Sequence, residues 1–317
     1  MPIQQTSRHL NHQTITSSEL ATQLLKRPLH PWENSYLAHY STYWNAILTD
    51  PRFLLIPVDD HMVHRGDGVF EAFRVIENKF YLLPQHLERL RFSADSLGIA
   101  LPWSNSELTQ LLQEVAKAAQ QPNLIFRLYL SRGNGSFTAN PYDCPQSHLI
   151  VVACQFRPIA PEKYQRGVKI GRSTFPQKQE PFCRIKSCNY LPNVLMKKES
   201  VDRQLDFVVS FDGDGYLAEA STENIFILTK KKELLFPRLQ NILKGTTMAR
   251  CVQLAKDKLQ IPYHETNISE SDLINAHEVF MIGTTLDVLP VSSYENHSFA
   301  INDVGPQLLT LLKEDQK

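Results

Sequence analysis

The chain has 317 residues, and its 33 basic and 33 acidic side chains give a formal net charge of zero. This balance argues against a nucleic acid or a membrane surface as the main partner, because proteins that bind either usually carry a basic excess. Apolar residues make up 42% of the chain and charged residues 21%, as in a globular protein of about two domains. No apolar run approaches the ~20 residues that span a bilayer, and the polar N-terminus has no apolar signal-peptide segment.

The five cysteines are an odd number, and none of them belongs to a CxxC motif. This usage predicts reduced thiols in a cytoplasmic protein. The eleven histidines include no HExxH motif and no HxH-type pair, so the sequence predicts no metal site.

The first half of the chain is predicted to mix strands with helices. Residues 1–35 form an N-terminal extension, in which Ser17 or Ser18 caps a short helix that ends at Lys26. Helices are then predicted over HLERLRFSADSLG, with Leu87, Leu90, Ala94 and Leu97 on one face, and from a cap at Ser104 or Asn105 through Ala119. Runs of β-branched or aromatic residues bounded by turn residues predict four strands, at FLLIPVDD (53–60), GVFEAFRVIENKFYLL (68–83), NLIFRLYLSRG (123–133) and SHLIVVACQF (147–156).

The segment 157–162, RPIAPE, is the best candidate for a linker because two of its six residues are prolines. After it the sequence predicts a helix over 191–204, a hairpin over 206–229 around Asp212-Gly-Asp-Gly, a helix over 246–259 and a strand over 277–285. The strands and helices lack the regular alternation of a doubly wound sheet, and no GxGxxG or GxxxxGK[ST] motif follows a strand. We therefore expect a mixed α/β or α+β fold of two domains divided near residue 157.

Lys186 and Glu219 occupy predicted junctions between elements, where packing alone does not require charged side chains. If Lys186 is turned inward before its helix, desolvation lowers the pKa of the amine and makes it nucleophilic, as Schiff-base chemistry requires. A carboxylate at Glu219, at the end of a strand, could pair with a buried ring nitrogen. Taken alone, each of the two stretches favours a solvent-exposed loop lysine or turn glutamate over a functional role.

Two glycine–threonine segments could bind an anion. Gly245-Thr-Thr opens a helix, where free backbone N–H groups and hydroxyls suit a phosphate. An ordinary helix N-cap explains the same sequence equally well. Gly283-Thr-Thr ends a predicted strand in a second small turn with free amides.

Taken in order, these segments resemble the class IV, or fold type IV, pyridoxal-phosphate aminotransferases. That family includes the branched-chain aminotransferases, the D-amino-acid transaminases and the aminodeoxychorismate lyases. The resemblance runs from about residue 57 to residue 291. It depends on six ordered motifs: HRGDGVFEAFR, HLERLRFSA, RIKSCNYLPNVLMKKES, GYLAEASTENIFIL, LKGTTMAR and HEVFMIGTTLDVLPV.

The resemblance implies a fold and a cofactor site. The expected fold has a smaller N-terminal α/β domain (36–156) and a larger C-terminal pseudo-barrel domain (157–317) that binds pyridoxal 5'-phosphate. Lys186 would be the catalytic lysine that forms the Schiff base with the cofactor, and Glu219 the carboxylate that faces the pyridine nitrogen. The other residues expected to bind the cofactor are Arg89, Tyr190, Thr222, Thr246, Thr247 and Thr284.

The substrate side carries conflicting signals. Arg65, Phe70, Phe137 and Thr285 are the residues expected to contact the substrate. In D-amino-acid transaminases the loop after a strand-ending Arg-Gly carries an arginine and a histidine that bind the substrate carboxylate. Phe137 and Ala139 occupy those places here, whereas the four-residue spacing from Lys186 to Tyr190 is more like the D-amino-acid and lyase branches than the branched-chain branch. Arg65 could supply the missing charge, or could instead pair with Asp67 or Asp60.

The implied activity is transamination between an amino acid and a 2-oxo acid by a homodimer, with an apolar, branched-chain L-amino acid slightly favoured. Aminodeoxychorismate lyase activity, which eliminates pyruvate with the same lysine and cofactor, and D-amino-acid transamination are the alternatives. A non-catalytic protein that binds a phosphate compound is a third hypothesis, and the presence of both Lys186 and Glu219 argues against it.

Overall fold

The computed structural model describes residues 12–301 and 304–317. The fold consists of two β-sheets and the helices that partly cover them. A cavity lies where the two sheets face one another. None of the helices in the described ranges is long and apolar enough to cross a membrane.

The first sheet has six strands in the order β2-β1-β6-β5-β3-β4, and every pairing in it is antiparallel. Its strands are β1 (Tyr36–Ser41), β2 (Ala46–Leu48), β3 (Gly68–Ile76), β4 (Lys79–Phe80), β5 (Leu124–Ser131) and β6 (His148–Gln155). The helices of this half are α1 (Ser17–Lys26), α2 (His61–Arg65), α3 (Leu83–Ser96) and α4 (Asn105–Ala119). Leu87 and Leu90 of α3 and Leu108 and Leu112 of α4 are buried in the same apolar core as the sheet.

The second sheet has the order β12-β11-β10-β13-β14-β7-β8-β9, with β15 paired to β14. Its strands are β7 (Val168–Arg172), β8 (Phe207–Phe211), β9 (Leu217–Ala220), β10 (Asn224–Leu228), β11 (Leu234–Pro237), β12 (Tyr263–Thr266), β13 (Glu278–Gly283), β14 (Asp287–Tyr294) and β15 (His297–Ser298). The helices of this half are α5 (Pro161–Arg166), α6 (Leu191–Asp202), α7 (Thr246–Leu259), α8 (Glu270–Ile274) and α9 (Val304–Asp315). Parallel pairs (β7 with β8 and β14, β11 with β12) occur among antiparallel ones.

Side chains alternate along β3, so one face of the first sheet lines the cavity and the other packs against α3. Phe70 and Ala72 face the cavity, as do Tyr129 and Arg127 on the neighbouring β5. Glu71 and Phe73 point to the opposite face, where both meet His86 of α3. A single strand therefore contributes both to the cavity wall and to the buried layer behind it.

A buried polar cluster joins the two halves. The Arg74 guanidinium on β3 donates to both oxygens of Asp287 on β14, at 3.1 and 3.2 Å. Lys313 and Gln316, at the C-terminal end of the chain, donate to the same carboxylate at 2.5 Å. Because Asp287 is only 2% exposed, these donors offset the cost of burying its charge.

Most predicted elements are confirmed, including α3, α4, α6, α7, β5, β6, β13 and the β8–β9 hairpin. The strand predicted at 53–60 is wrong. Residues 51–53 form a 3₁₀ turn, Pro57 has no N–H for a ladder, and the Asp60 side chain caps α2 by accepting from the N–H of Met62 at 2.8 Å. The cap of α1 is Thr16, which forms a capping box with Glu19, and not Ser17 or Ser18.

Candidate active site

The cavity between the sheets has a volume of about 380 Å³. Every residue predicted to bind the cofactor lines it, and so do two residues predicted to contact the substrate, Phe70 and Thr285. These side chains come from β3, α3, β9, α7, the β9–β10 and β13–β14 turns and the segment before α6. Residues more than a hundred positions apart in the chain therefore meet in one place.

Lys186 is held by backbone pairing of its segment with β3. The N–H of Phe70 donates to the carbonyl of Lys186 at 3.0 Å, and the N–H of Cys188 donates to the carbonyl of Gly68 at 2.8 Å. The ammonium lies 4.6 Å from the ring centre of Phe70 inside the cavity. Burial, and after it the positive charge of Arg89, lowers the pKa of Lys186 to about 8. A substantial fraction of the amine is therefore neutral and nucleophilic near physiological pH.

Glu219, at the third position of β9, is buried beside neutral donors. The side-chain amide of Gln177 donates to it at 2.8 Å and the N–H of Leu243 at 3.2 Å. Burial raises the pKa of Glu219 to about 7, although the Gln177 hydrogen bond acts in the opposite direction. No cation in the described part of the chain forms an ion pair with Glu219, so this carboxylate would be stabilised by a positive group in the cavity.

Arg89 belongs to a buried network that starts on β3. Its Nε and Nη2 atoms both donate to the Glu71 carboxylate at 2.7 Å. His86 Nδ1 lies 2.7 Å from the same carboxylate, and His86 Nε2 lies 3.1 Å from the hydroxyl of Thr246. Glu71 is fully buried, and despite that burial the Arg89 charge keeps the pKa of Glu71 at about 2. The network fixes Arg89 and Thr246 at one end of the cavity.

The N-terminus of α7 opens onto that same end. Gly245 is its N-cap, and Thr246 and Thr247 form its first turn with their N–H groups free of helical partners. A Cβ at Gly245 would lie 2.0 Å from Oδ1 of Asn224, whose side-chain amide in turn donates to the carbonyl of Leu243 at 2.9 Å. A side chain at Gly245 would therefore displace the Asn224 side chain. The positive end of a 14-residue helix faces the cavity here.

An aromatic wall borders the other part of the cavity. Phe70 stacks on Tyr129 with ring centres 5.9 Å apart and meets Tyr190 edge-on at 5.1 Å. Two cations that the sequence analysis did not single out lie beside this wall, Arg127 on β5 and Lys178, whose ammonium is 5.3 Å from the ring centre of Tyr190. Neither has an ion-pair partner in the described part of the chain. The alternation of side chains along β5 was the only sequence signal that could have predicted Arg127 as a cavity residue. Lys178 lies in an irregular segment that has no such pattern.

Arg65 and Phe137 do not line the cavity of their own chain. Arg65 is the last residue of α2, and its Nη2 donates to the carbonyl of Phe137 at 2.6 Å. Asp67 pairs with Arg132 and Asp60 accepts from Ser131, so Arg65 forms neither of the two ion pairs considered for it. Phe137 is 62% exposed. A substrate contact by either residue stays a prediction.

Comparison with known proteins gives the family. Residues 68–294 match the sequence profile described as Amino-transferase class IV. The Arabidopsis thaliana protein named "D-amino-acid transaminase, chloroplastic" is 33% identical over 294 residues, which cover 89% of this chain and 77% of that protein.

Solved structures show the same fold at lower identity. The branched-chain aminotransferase of the archaeon Thermoproteus uzoniensis superposes with a TM-score of 0.82 at 22% identity, covering 89% of this chain and 95% of that one. The 4-amino-4-deoxychorismate lyase of Pseudomonas aeruginosa gives a TM-score of 0.74 at 23% identity, covering 82% and 95%. The predicted mixed α/β architecture of fold type IV is confirmed. With its profile match over most of its length and a relative above 30% identity, the chain belongs to the class IV aminotransferase family.

Proposed function

We propose that this protein is a pyridoxal-phosphate-dependent aminotransferase that moves an amino group between an amino acid and a 2-oxo acid. The observation that carries the proposal is the buried amine of Lys186, which shares one cavity with Glu219 and with the N-terminus of α7. Family membership supports the reaction class.

The residues of the cavity fit pyridoxal phosphate. The cradle at Gly245, which a Cβ would fill, and the adjacent Arg89 suit its phosphate group. Glu219, buried without an ion pair in the described chain, suits a protonated ring nitrogen. Lys186 suits the aldehyde carbon, since burial lowers the pKa of its amine. Tyr190, Thr222, Thr247 and Thr284 are proposed as further cofactor contacts.

Each side chain then has a defined task. The bound cofactor would supply a ring that accepts the electrons left when the substrate Cα loses its proton. Glu219 would keep the ring nitrogen protonated, and Lys186 Nζ, once released by the substrate amine, would hold the proton taken from Cα and return it during the transfer. Arg89, fixed by Glu71, would orient the phosphate and with it the whole ring.

We propose an amino acid with an apolar side chain as substrate, with a branched-chain L-amino acid slightly favoured. The aromatic wall of Phe70, Tyr129 and Tyr190 supports an apolar group. Arg127, which has no ion-pair partner in the described part of the chain, is placed to pair with a substrate carboxylate. Phe70 and Thr285 remain proposed substrate contacts.

D-amino-acid transamination is a second candidate, favoured by the name of the 33%-identical Arabidopsis thaliana relative and by the spacing of Lys186 and Tyr190. Aminodeoxychorismate lyase activity is a third, favoured by the likeness to the Pseudomonas aeruginosa enzyme. All three activities use the same lysine, so the substrate side of the cavity distinguishes them.

One panel of substrates tests the proposal. The purified protein is loaded with cofactor and mixed in turn with L-valine, L-leucine, L-alanine, D-alanine and aminodeoxychorismate, while the cofactor spectrum and the products are followed. We expect conversion of the cofactor spectrum and release of a 2-oxo acid with an L-branched-chain donor. Reaction with D-alanine alone, or pyruvate release from aminodeoxychorismate, would transfer the assignment to the corresponding alternative.

We further propose a cytoplasmic homodimer built from an extension (1–35) and two domains (36–156 and 157–317). The proposed boundary falls between β6, the last strand of the first sheet, and β7, the first strand of the second. All five cysteines are free thiols, which supports a reducing compartment.

A further inference from the structure

His86 lies behind the phosphate end of the cavity and connects two of its elements. It is 1% exposed and does not line the cavity itself. Nδ1 of its ring lies 2.7 Å from Glu71 on β3, and Nε2 lies 3.1 Å from the Thr246 hydroxyl on α7. Both ring nitrogens are therefore occupied, and the tautomer follows from what each neighbour can offer.

The neighbours fix the direction of these hydrogen bonds. Glu71 is ionised and accepts two hydrogen bonds from Arg89, so it can only accept from His86, and Nδ1 must carry a hydrogen. Burial, the largest influence, lowers the pKa of His86, although Glu71 acts in the opposite direction. The ring is accordingly uncharged at neutral pH, with Nε2 as acceptor. Thr246 must then donate its hydroxyl hydrogen to Nε2.

This arrangement keeps the Thr246 hydroxyl from donating to a phosphate group. The Thr246 hydroxyl, with its hydrogen committed to His86, would present only lone pairs to the anion's oxygens. Arg89 also uses its Nε and Nη2 atoms to donate to Glu71, so these two hydrogen bonds are not available to the anion. The charged groups that act on His86 are Glu71 on β3, Arg89 on its own helix and Lys186 from the segment before α6, while α7 contributes only the neutral Thr246.

We propose that His86 takes up a proton when a phosphate group enters the cavity, so that the Thr246 hydroxyl turns from His86 to the phosphate. The proton comes from solvent through the cavity and binds to Nε2, which then donates to Thr246 Oγ1. The hydroxyl hydrogen is released to donate to a phosphate oxygen, while Nδ1 keeps its bond to Glu71. The group formed by Glu71, Arg89 and His86 gains one positive charge opposite the anion. His86 acts through Thr246 and is a positioning residue.

The inference rests on the proposed cofactor, whose phosphate would be the anion. The test observes the ring nitrogens of [15N]histidine-labelled, cofactor-free protein by NMR at about pH 8, where a neutral imidazole is the ordinary state. The His86 signals are identified by their loss in His86→Gln. Addition of inorganic phosphate, and separately of pyridoxal phosphate, is expected to move both His86 nitrogens to the shifts of the protonated ring. Unchanged His86 signals in a protein that binds pyridoxal phosphate covalently would overturn the inference and leave the proposed function intact.

Calorimetry in buffers of different ionisation enthalpy counts the protons taken up with inorganic phosphate. We expect His86→Gln and Thr246→Val each to take up about one proton fewer than the wild type per bound phosphate, by the linkage of binding to ionisation. Thr246→Val retains the His86 imidazole. Its proton uptake can therefore be compared with that of the wild type even if His86→Gln does not fold. The control is His148→Gln, another buried histidine beside a carboxylate, Asp60, but outside the cavity. It should match the wild type, and equal uptake in all four proteins would contradict the role of His86.

Discussion

Lys186 is the residue whose chemistry depends most on its surroundings. An exposed lysine has a pKa of about 10.4, whereas burial and the Arg89 charge lower the pKa of Lys186 to about 8. Its neutral, nucleophilic form therefore becomes abundant as the pH rises through about 8, well before surface lysines lose their protons.

The first prediction concerns this titration. The rate at which cofactor-free protein forms its coloured complex with pyridoxal phosphate should rise with pH and level off above about pH 8–9, following the deprotonation of Lys186. Stopped-flow absorbance measures it, with Lys186→Ala as the control that gives no such phase. A rate that keeps rising to pH 10 would mean that the reacting amine has an ordinary pKa.

The second prediction concerns Glu219. The neutral amide in Glu219→Gln cannot hold a positive charge on a ring nitrogen, so turnover should fall by about a hundredfold or more, at 1.4 kcal/mol per tenfold, while cofactor still binds. Steady-state kinetics and the cofactor spectrum check this, and a variant with near-normal turnover would assign ring protonation to another group.

The pH dependence of folding stability should also differ between Glu219→Gln and the wild type. Because the folded-state pKa of Glu219 is raised to about 7, the stability that its protonated form contributes is complete below pH 4.5 and is lost as the pH rises through 7. Between pH 5 and 8, the melting temperature of the cofactor-free wild type should therefore fall relative to that of Glu219→Gln. Parallel melting curves across this range would argue that the carboxylate is not desolvated.

At the scale of elements, the N-terminus of α7 is the part of the site that depends on backbone geometry. A Cβ at Gly245 would lie 2.0 Å from the Asn224 side-chain oxygen, so a larger residue would displace that side chain or shift the first turn. Phosphate binding there would use N–H groups and the helix dipole, and a shift of the first turn weakens both.

The third prediction follows from this geometry. Gly245→Ala should weaken pyridoxal phosphate binding by about tenfold, or about 1.4 kcal/mol, as expected for partial loss of a helix-terminus anion site. Fluorescence titration of the cofactor-free protein measures the affinity. Gly213→Ala is the matched control, since a Cβ there meets nothing within 4 Å. Equal affinities in the two variants would exclude a role for the α7 terminus in binding.

The order of motifs in the sequence was sufficient to identify elements that line the cavity, because Lys186, Glu219 and Gly245 each lie in a segment with a distinct local pattern. The buried layer behind them was not predictable. Glu71 looks like an ordinary polar residue of a half-buried strand, and its contact with His86 and Arg89 depends on how α3 packs on β3. The strand at β1 was also missed, since its sequence YLAHYS contains a histidine and a serine where a strand pattern expects apolar residues.

At the scale of the whole molecule, the cavity is formed by both sheets, and the contact of Arg74 with Asp287 holds the sheets together. Arg65 and Phe137 lie outside the cavity of their own chain. If the protein is the homodimer that we propose, a loop of one chain can reach the cavity of the other.

The fourth prediction tests this arrangement with hybrid dimers. Light scattering should give about twice the 36.3 kDa of one chain. If Arg65 acts across the dimer, Arg65→Ala should raise KM for the amino acid with cofactor still bound, and Lys186→Ala should be inactive. Mixing the two under subunit exchange should restore sites of normal KM, each with Lys186 from one chain and Arg65 from the other. A fully active monomer, or no restoration on mixing, would contradict a shared site.

The central claim is that Lys186 carries the cofactor. The protein is loaded with pyridoxal phosphate, reduced with borohydride and digested, and the labelled peptide is sequenced by mass spectrometry. We predict a single pyridoxyl label on Lys186, which the Lys178→Met variant retains and the Lys186→Ala variant lacks. A label on Lys178 or on any other lysine, or no label after loading, would contradict the account.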